Sequence, residues 1–130
     1  MLSTKHTPDL PEEKERVQKA GGAVVWYGTW RVNGLLSVSR SIGDKSLNSV
    51  VIAEPSVRIE PCTEQDEFLI VATDGLWDLV KHEEACEMVR ECIKNAPTQR
   101  KMMAQMLVDE AIKRKASDNV TVLVVFFQQQ

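Results

Sequence analysis

Apolar positions in the second half of this chain follow two different periods. They run without interruption in Phe68-Leu69-Ile70-Val71-Ala72 and stop at Thr73-Asp74-Gly75. They run again in Val120-Thr121-Val122-Leu123-Val124-Val125-Phe126-Phe127, directly after Ser117-Asp118-Asn119. Short continuous runs rich in β-branched and aromatic residues predict strands over 67–73 and 120–127, each buried on both faces. Between them the period changes. Ala85, Met88, Val89, Cys92 and Ile93 recur at three- and four-residue steps and predict a helix with one apolar face. Met103, Met106, Leu107 and Ala111 predict a second helix, separated from the first by Asn95-Ala96-Pro97-Thr98. Lys113, Arg114 and Lys115 stand where the dipole of that second helix favours cations.

The first half is less regular. A charged segment over 12–20 ends at Gly21-Gly22, and Asp9 with Glu12 has capping-box spacing, which predicts a short exposed helix. Residues 23–27 and 30–32 predict two strands turned at Gly28, with Asn33-Gly34 as a further turn. Residues 35–40 read as extended, and 42–49 as a loop. Val50-Val51-Ile52 and Val57-Arg58-Ile59 are short strand candidates on either side of Pro55. The order is helix, strands, two helices, strand. It lacks the steady β-α alternation of a parallel doubly wound sheet and favours an α+β fold with mostly antiparallel strands.

Composition narrows the function more than the fold. The 130 residues make one domain or part of one, and at 43% hydrophobic and 27% charged they can bury a core under a solvated surface. A net charge of −3 gives no electrostatic reason to expect nucleic acid or an anionic membrane. No apolar run approaches the roughly 18 residues of a membrane span, and the first residues lack the apolar stretch of a secretory signal. Cys62, Cys86 and Cys92 are odd in number and lack CxxC spacing, so reduced thiols in a cytoplasmic or nuclear setting are expected. Apart from the short Gln128-Gln129-Gln130 tail there is no low-complexity segment.

The candidate chemistry is acidic. Asp74 and Asp118 both stand at ends of predicted strands, where carboxylates can converge at the edge of a sheet. Hard cations such as Mg²⁺ and Mn²⁺ take such oxygen ligands. Taken singly, Asp74-Gly75 and Ser117-Asp118-Asn119 are also ordinary turn sequences. Leu76 and Trp77 read as core. His6 and His82 are isolated, and His82, among charges at a helix start, reads as solvated. No Cys and Arg frame a phosphate loop of the kind a thiolate phosphatase uses.

Taken in order, the segments carry more. His6-Thr7-Pro8, Glu15-Arg16-Val17 and Ala20-Gly21-Gly22 come first. Arg31-Val32-Asn33-Gly34-Leu35-Leu36-Ser37-Val38-Ser39-Arg40-Ser41-Ile42-Gly43-Asp44 follows, then Ala53-Glu54-Pro55. Asp74-Gly75-Leu76-Trp77-Asp78 and Ser117-Asp118-Asn119-Val120-Thr121 complete the series. This series resembles the C-terminal half of the metal-dependent serine/threonine protein phosphatases of type 2C. The resemblance spans nearly the whole chain, with Lys5 departing from the acidic residue usual before the His. It implies that residues 1–130 are part of a four-layer αββα antiparallel sandwich carrying a two-metal Mg²⁺ or Mn²⁺ centre. It implies metal ligation by Asp74 and Asp118. It also implies a sharp backbone turn at Gly75, ligand orientation or loop bracing by Asp78 and Asn119, and a structural role for Arg40, Gly43 and Asp44.

The chemistry of such a site suits phosphate monoesters, dianions that resist attack by water. Two cations lower the pKa of a bound water and neutralise charge on the phosphate oxygens. Clustered carboxylates themselves repel unless a cation lies between them. The resemblance further implies a first half ahead of Met1, carrying a phosphate-binding Arg, a bridging metal Asp and a further acidic residue. On that expectation the chain is an incomplete portion of a phosphatase for phosphoserine and phosphothreonine proteins. It would be inactive by itself and prone to self-association through uncovered sheet. The alternative is a non-catalytic phosphatase-like binding or regulatory module.

Overall fold

The computed structural model describes residues 1–127, apart from the side chains of Pro97 and Thr98, so the glutamine tail lies outside the described residues. The chain forms two compact units, Met1–Glu60 and Pro61–Gln130.

In the first unit, helix α1 spans Pro11–Lys19. Its start differs from the expected capping box. Leu10 is the N-cap and no side chain caps the helix, because Pro11 opens it. A proline in the first turn needs no N–H partner and has its φ preset, so the start moves past Asp9. The helix is also not fully exposed, since Glu13 and Val17 are buried. Strands β1 (Val24–Tyr27) and β2 (Thr29–Val32) pair antiparallel, with Tyr27 opposite Thr29. Gly28 turns between them at φ +70°, a backbone region that other residues enter only at a cost.

Beyond the hairpin, several expected strands are replaced by turns. Residues 35–40 contribute only isolated bridges, Val32 with Leu36 and Arg40 with Ile52. Val50 and Val51 are not a strand. Their N–H groups donate to the Leu47 carbonyl at 2.9 and 2.7 Å, closing a turn after the 3-10 segment Lys45–Leu47. Their side chains instead complete a small core with Val17, Val32 and Leu47. Val57-Arg58-Ile59 forms no ladder among the described residues, and Val57 and Ile59 are exposed. β-branched composition favours a pleated surface, but a strand also requires a neighbour to pair with.

In the second unit, β3 (Phe68–Ala72) pairs antiparallel with β4 (Val122–Phe126), in a register running from Phe68 opposite Phe126 to Ala72 opposite Val122. Between them come a short helix α2 (Asp74–Trp77), α3 (His82–Asn95), a 3-10 segment Pro97–Met102 and α4 (Met103–Lys113). The apolar faces expected of the two long helices are the ones that pack. Leu76, Val80, Ala85, Val89, Met103, Leu107 and Ala111 form the buried core, against Phe68, Ile70, Val122, Val124 and Phe126.

The strands, however, are covered on one face only. On the other face Val71, Leu123 and Val125 remain 51, 56 and 39% exposed, which corrects the expectation of burial on both faces. An unbroken apolar run places apolar side chains on both faces whether or not both are covered. Arg114 closes α4 onto the start of α3. Its guanidinium donates to Glu84 and Glu110 and, at 2.9 Å, to the Leu79 carbonyl, and it holds both carboxyls below their ordinary range. No helix among the described residues is long and apolar enough to cross a membrane.

Candidate metal centre

β3 and β4 run antiparallel with Ala72 opposite Val122, so the residues after β3 and those before β4 leave the same end of the ribbon. Asp74 is the first residue of α2, two beyond Ala72, and Asp118 stands four before Val122. Both are exposed. The pairing thus places the loops that carry the two acids singled out from the sequence at one end of the ribbon.

Two contacts tie their loops together. The first is the side chain of Thr73, which lies between them. Its hydroxyl donates to the Asn119 carbonyl and accepts from the Thr121 N–H, each at 3.0 Å, while its own N–H donates to the Thr121 carbonyl at 3.1 Å. The second is the absence of a side chain at Gly75. A Cβ there would drive into the Asn119 carbonyl oxygen and lie 3.0 Å from the carbonyl carbon and 3.2 Å from Val120 Cγ2. Gly75 therefore serves by close approach of backbone to backbone, in a helical conformation, in place of the sharp turn expected of it.

The remaining residues near Asp74 and Asp118 brace these loops. Asp78 ends α2, its N–H donating to the Asp74 carbonyl at 2.9 Å. Asn119 acts through its main chain, donating to Asp118 Oδ1 at 2.7 Å and accepting from Thr73. Trp77 is half-buried, and its indole N–H donates to the Ala72 carbonyl at 3.0 Å, returning α2 to the end of β3. His82 is half-buried and stacks on Trp77 with ring centroids 4.8 Å apart, which corrects its reading as a solvated residue. His6 is not isolated either, since its Nε2 lies 2.7 Å from Ser56 Oγ.

Arg40, Gly43 and Asp44 belong to the Met1–Glu60 unit. Arg40 donates to both carboxylate oxygens of Glu13 and, at 3.0 Å, to the Glu54 carbonyl. Asp44 accepts from Ser41 Oγ at 2.6 Å, and Gly43 holds φ +111°. The buried partner, Glu13, was not legible in the sequence. Its side chain is 1% exposed and also accepts from Arg16 at 2.8 Å and Ser39 at 2.6 Å. Hydrogen bonds from Arg40 and then from Arg16 and Ser39, opposed by burial, bring its pKa down to about 2. The signal that could have found it is its spacing four residues before Val17, on the same helix face.

A Mg²⁺ or Mn²⁺ ion takes about six oxygen ligands, usually including waters. Two exposed carboxylates on one braced edge fit a share of such a shell. Among the described residues no group of three or more His, Cys, Asp or Glu could hold a metal ion.

Residues 1–120 match the family described as Protein phosphatase 2C. The chain is 45% identical over 129 residues to probable protein phosphatase 2C 59 of Oryza sativa subsp. japonica, covering 99% of this chain and 38% of that protein. It is 47% identical over 126 residues to probable protein phosphatase 2C 45 of the same organism, covering 97% of this chain and 43% of that protein. The chain therefore spans less than half the length of these relatives. Among solved structures, a phosphatase from a pathogenic strain of Toxoplasma gondii superposes with TM-score 0.91 at 28% identity, over 99% of this chain and 42% of that one. A C. elegans sex-determining protein superposes with TM-score 0.90 at 28% identity, over 98% of this chain and 32% of that one. A family match over residues 1–120, most of the chain, identifies it as a member of the protein phosphatase 2C family.

Proposed function

We propose that this chain supplies part of the metal centre of a protein serine/threonine phosphatase, with Asp74 and Asp118 as ligands to Mg²⁺ or Mn²⁺. The observation that carries this reading is the joining of two acidic loops at one ribbon end by Thr73 and the bare Gly75 backbone. The metals would supply an activated water and charge neutralisation at the phosphate of a phosphoserine or phosphothreonine. The chain's own residues hold the ligand geometry: Trp77 and Asp78 fix α2, and Asn119 fixes the loop before β4.

Because Asp74 and Asp118 are two acids of a larger ligand set in this reading, the chain by itself is expected to show no appreciable turnover. Purified chain should leave a phosphopeptide and an aryl phosphate unhydrolysed in Mn²⁺, and turnover at the level of a full-length 2C phosphatase would refute the partial-centre reading. In a full-length family protein carrying this segment, Asp74→Asn and Asp118→Asn should each reduce metal-dependent turnover by more than the roughly 10–100-fold that a residue which only orients a ligand accounts for. Asp78→Asn should do less harm. Full activity in Asp74→Asn would remove that residue from the ligand set.

A second reading, a phosphatase-like binding module, draws on the exposed face of Val71, Leu123 and Val125. Apolar sheet surface of this kind invites association. Sedimentation velocity should show oligomers that bind a hydrophobic dye, and a dye-free monomer with a sharp melt would count against uncovered sheet as the source of association.

A further inference from the structure

We propose that Thr73 is a positioning residue for the Asp74–Asp118 pair, its hydroxyl setting the separation of the two carboxylates. This inference rests on the metal-centre reading above. Thr73 lies one residue before Asp74, and its Oγ1 bonds across the ribbon to the main chain on both sides of Val120. A hydroxyl has one proton to give and lone pairs to accept with, and both functions are used here. Thr121 is exposed at the end of the ribbon, and its N–H has the Thr73 hydroxyl as acceptor instead of a strand carbonyl. The reciprocal bond from the Thr73 N–H to the Thr121 carbonyl holds the threonine backbone next to Asp74, and the two bonds of Oγ1 hold its rotamer.

The Asp118 loop is thereby joined to the Asp74 loop through one side-chain oxygen. From Asn119, whose carbonyl accepts the Thr73 proton, the connection continues to Asp118 by a 2.7 Å bond from the Asn119 N–H to Asp118 Oδ1. A route of two hydrogen bonds thus links the residue before one acid to the carboxylate of the other. Gly75 sets how closely the loops can approach, because its α-carbon faces the Asn119 carbonyl. Thr73 keeps them from separating. Outer groups that orient metal ligands commonly account for 10–100-fold in metal affinity, and Thr73 orients the acids on both loops at once.

The test uses the whole chain, with Mn²⁺ as the probe and two-dimensional amide NMR as the readout. In wild type, Mn²⁺ should broaden the amides around Asp74 and Asp118 together, and the Thr121 amide should exchange slowly with solvent despite its exposure. Thr73→Val keeps the shape and removes the hydroxyl. It should release the Thr121 amide to fast exchange and raise the Mn²⁺ concentration needed for broadening by about tenfold or more. Thr73→Ser, which keeps the hydroxyl, should restore both. A purely structural threonine would lower the melting point in Thr73→Val but leave the Mn²⁺ midpoint of the folded protein unchanged, and that result overturns the proposal. If Thr73→Val does not fold, wild type and Thr73→Ser decide: fast Thr121 exchange in both, or a Thr73→Ser midpoint no better than that of Asp118→Asn, overturns it. Absence of any Mn²⁺ broadening in wild type overturns the metal-centre reading and this inference with it. Equal Mn²⁺ midpoints in wild type and Thr73→Val overturn the positioning role alone.

Discussion

Gly75→Ala is expected to destabilise the Pro61–Gln130 unit by about 3 kcal/mol, the upper end of what forcing atoms into a packed site costs. The added Cβ meets the Asn119 carbonyl oxygen and carbon, which are main-chain atoms, and not a flexible side-chain end. The loop before β4 must move, and the Thr73 bonds to Asn119 and Thr121 move with it. For a unit of this size about 3 kcal/mol lowers the melting temperature by at least roughly 10 °C. Gly28→Ala is the appropriate contrast. No atom lies within 4 Å of a Cβ there, and only its φ of +70° opposes alanine, a cost of about 1–2 kcal/mol. Thermal melts of the two variants should rank Gly75→Ala well below Gly28→Ala. The reverse order would mean that the approach of Gly75 to Asn119 is not a constraint in solution.

The second large effect is expected at Glu13→Gln, in the other unit. Glu13 is buried and accepts from Arg16, Ser39 and Arg40, so the amide removes a charge from between two guanidiniums and turns an NH₂ group toward donors. Removing one partner of a buried ion pair costs about 3–5 kcal/mol. Acid should have a similar effect on wild type. The folded-state pKa of about 2 lies below the ordinary carboxylate value of 4.5, so the unfolded chain takes up a proton first as pH falls. The stability that Glu13 contributes, about 3 kcal/mol, is complete above pH 4.5 and is lost progressively toward pH 2. Glu13→Gln should be less stable at pH 7 in urea unfolding and should lose less on acidification across that window. The Trp26–Trp30 pair, with ring centroids 5.4 Å apart and edge to face, should report on the same unit in near-ultraviolet dichroism. An unchanged urea midpoint at pH 7 would show that the buried charge can be dispensed with.

These two sites also mark where the sequence was readable and where it was not. The strands at Phe68–Ala72 and Val122–Phe126 were legible because their β-branched runs are continuous and bounded. The same composition misled at Val50, Val51 and 57–59, because pairing depends on a neighbour that propensity does not reveal. Helix faces were legible from their period, and the placement of Asp74 and Asp118 beside the ends of β3 and β4 from where the apolar runs stop and start. Thr73 was not. Its role depends on Ala72 lying opposite Val122, a register set by contacts 50 residues apart. Glu13 was hidden for a different reason. In a run of charges every Glu reads as solvated, and only the tertiary arrival of Ser39 and Arg40 makes this one a buried anchor. Burial of both strand faces was inferred from hydrophobicity alone, which does not say what covers a sheet.

The most direct test of the central claim is paramagnetic broadening by Mn²⁺ in the amide spectrum of the wild-type chain and its two aspartate variants. If Asp74 and Asp118 contribute to one centre, a single Mn²⁺ titration should broaden residues 73–78 and 117–121 with one midpoint. Asp74→Asn should then weaken broadening at 117–121, and Asp118→Asn should weaken it at 73–78. Separate midpoints for the two segments, or broadening at one that is unaffected by loss of the other's carboxylate, would contradict a shared metal centre.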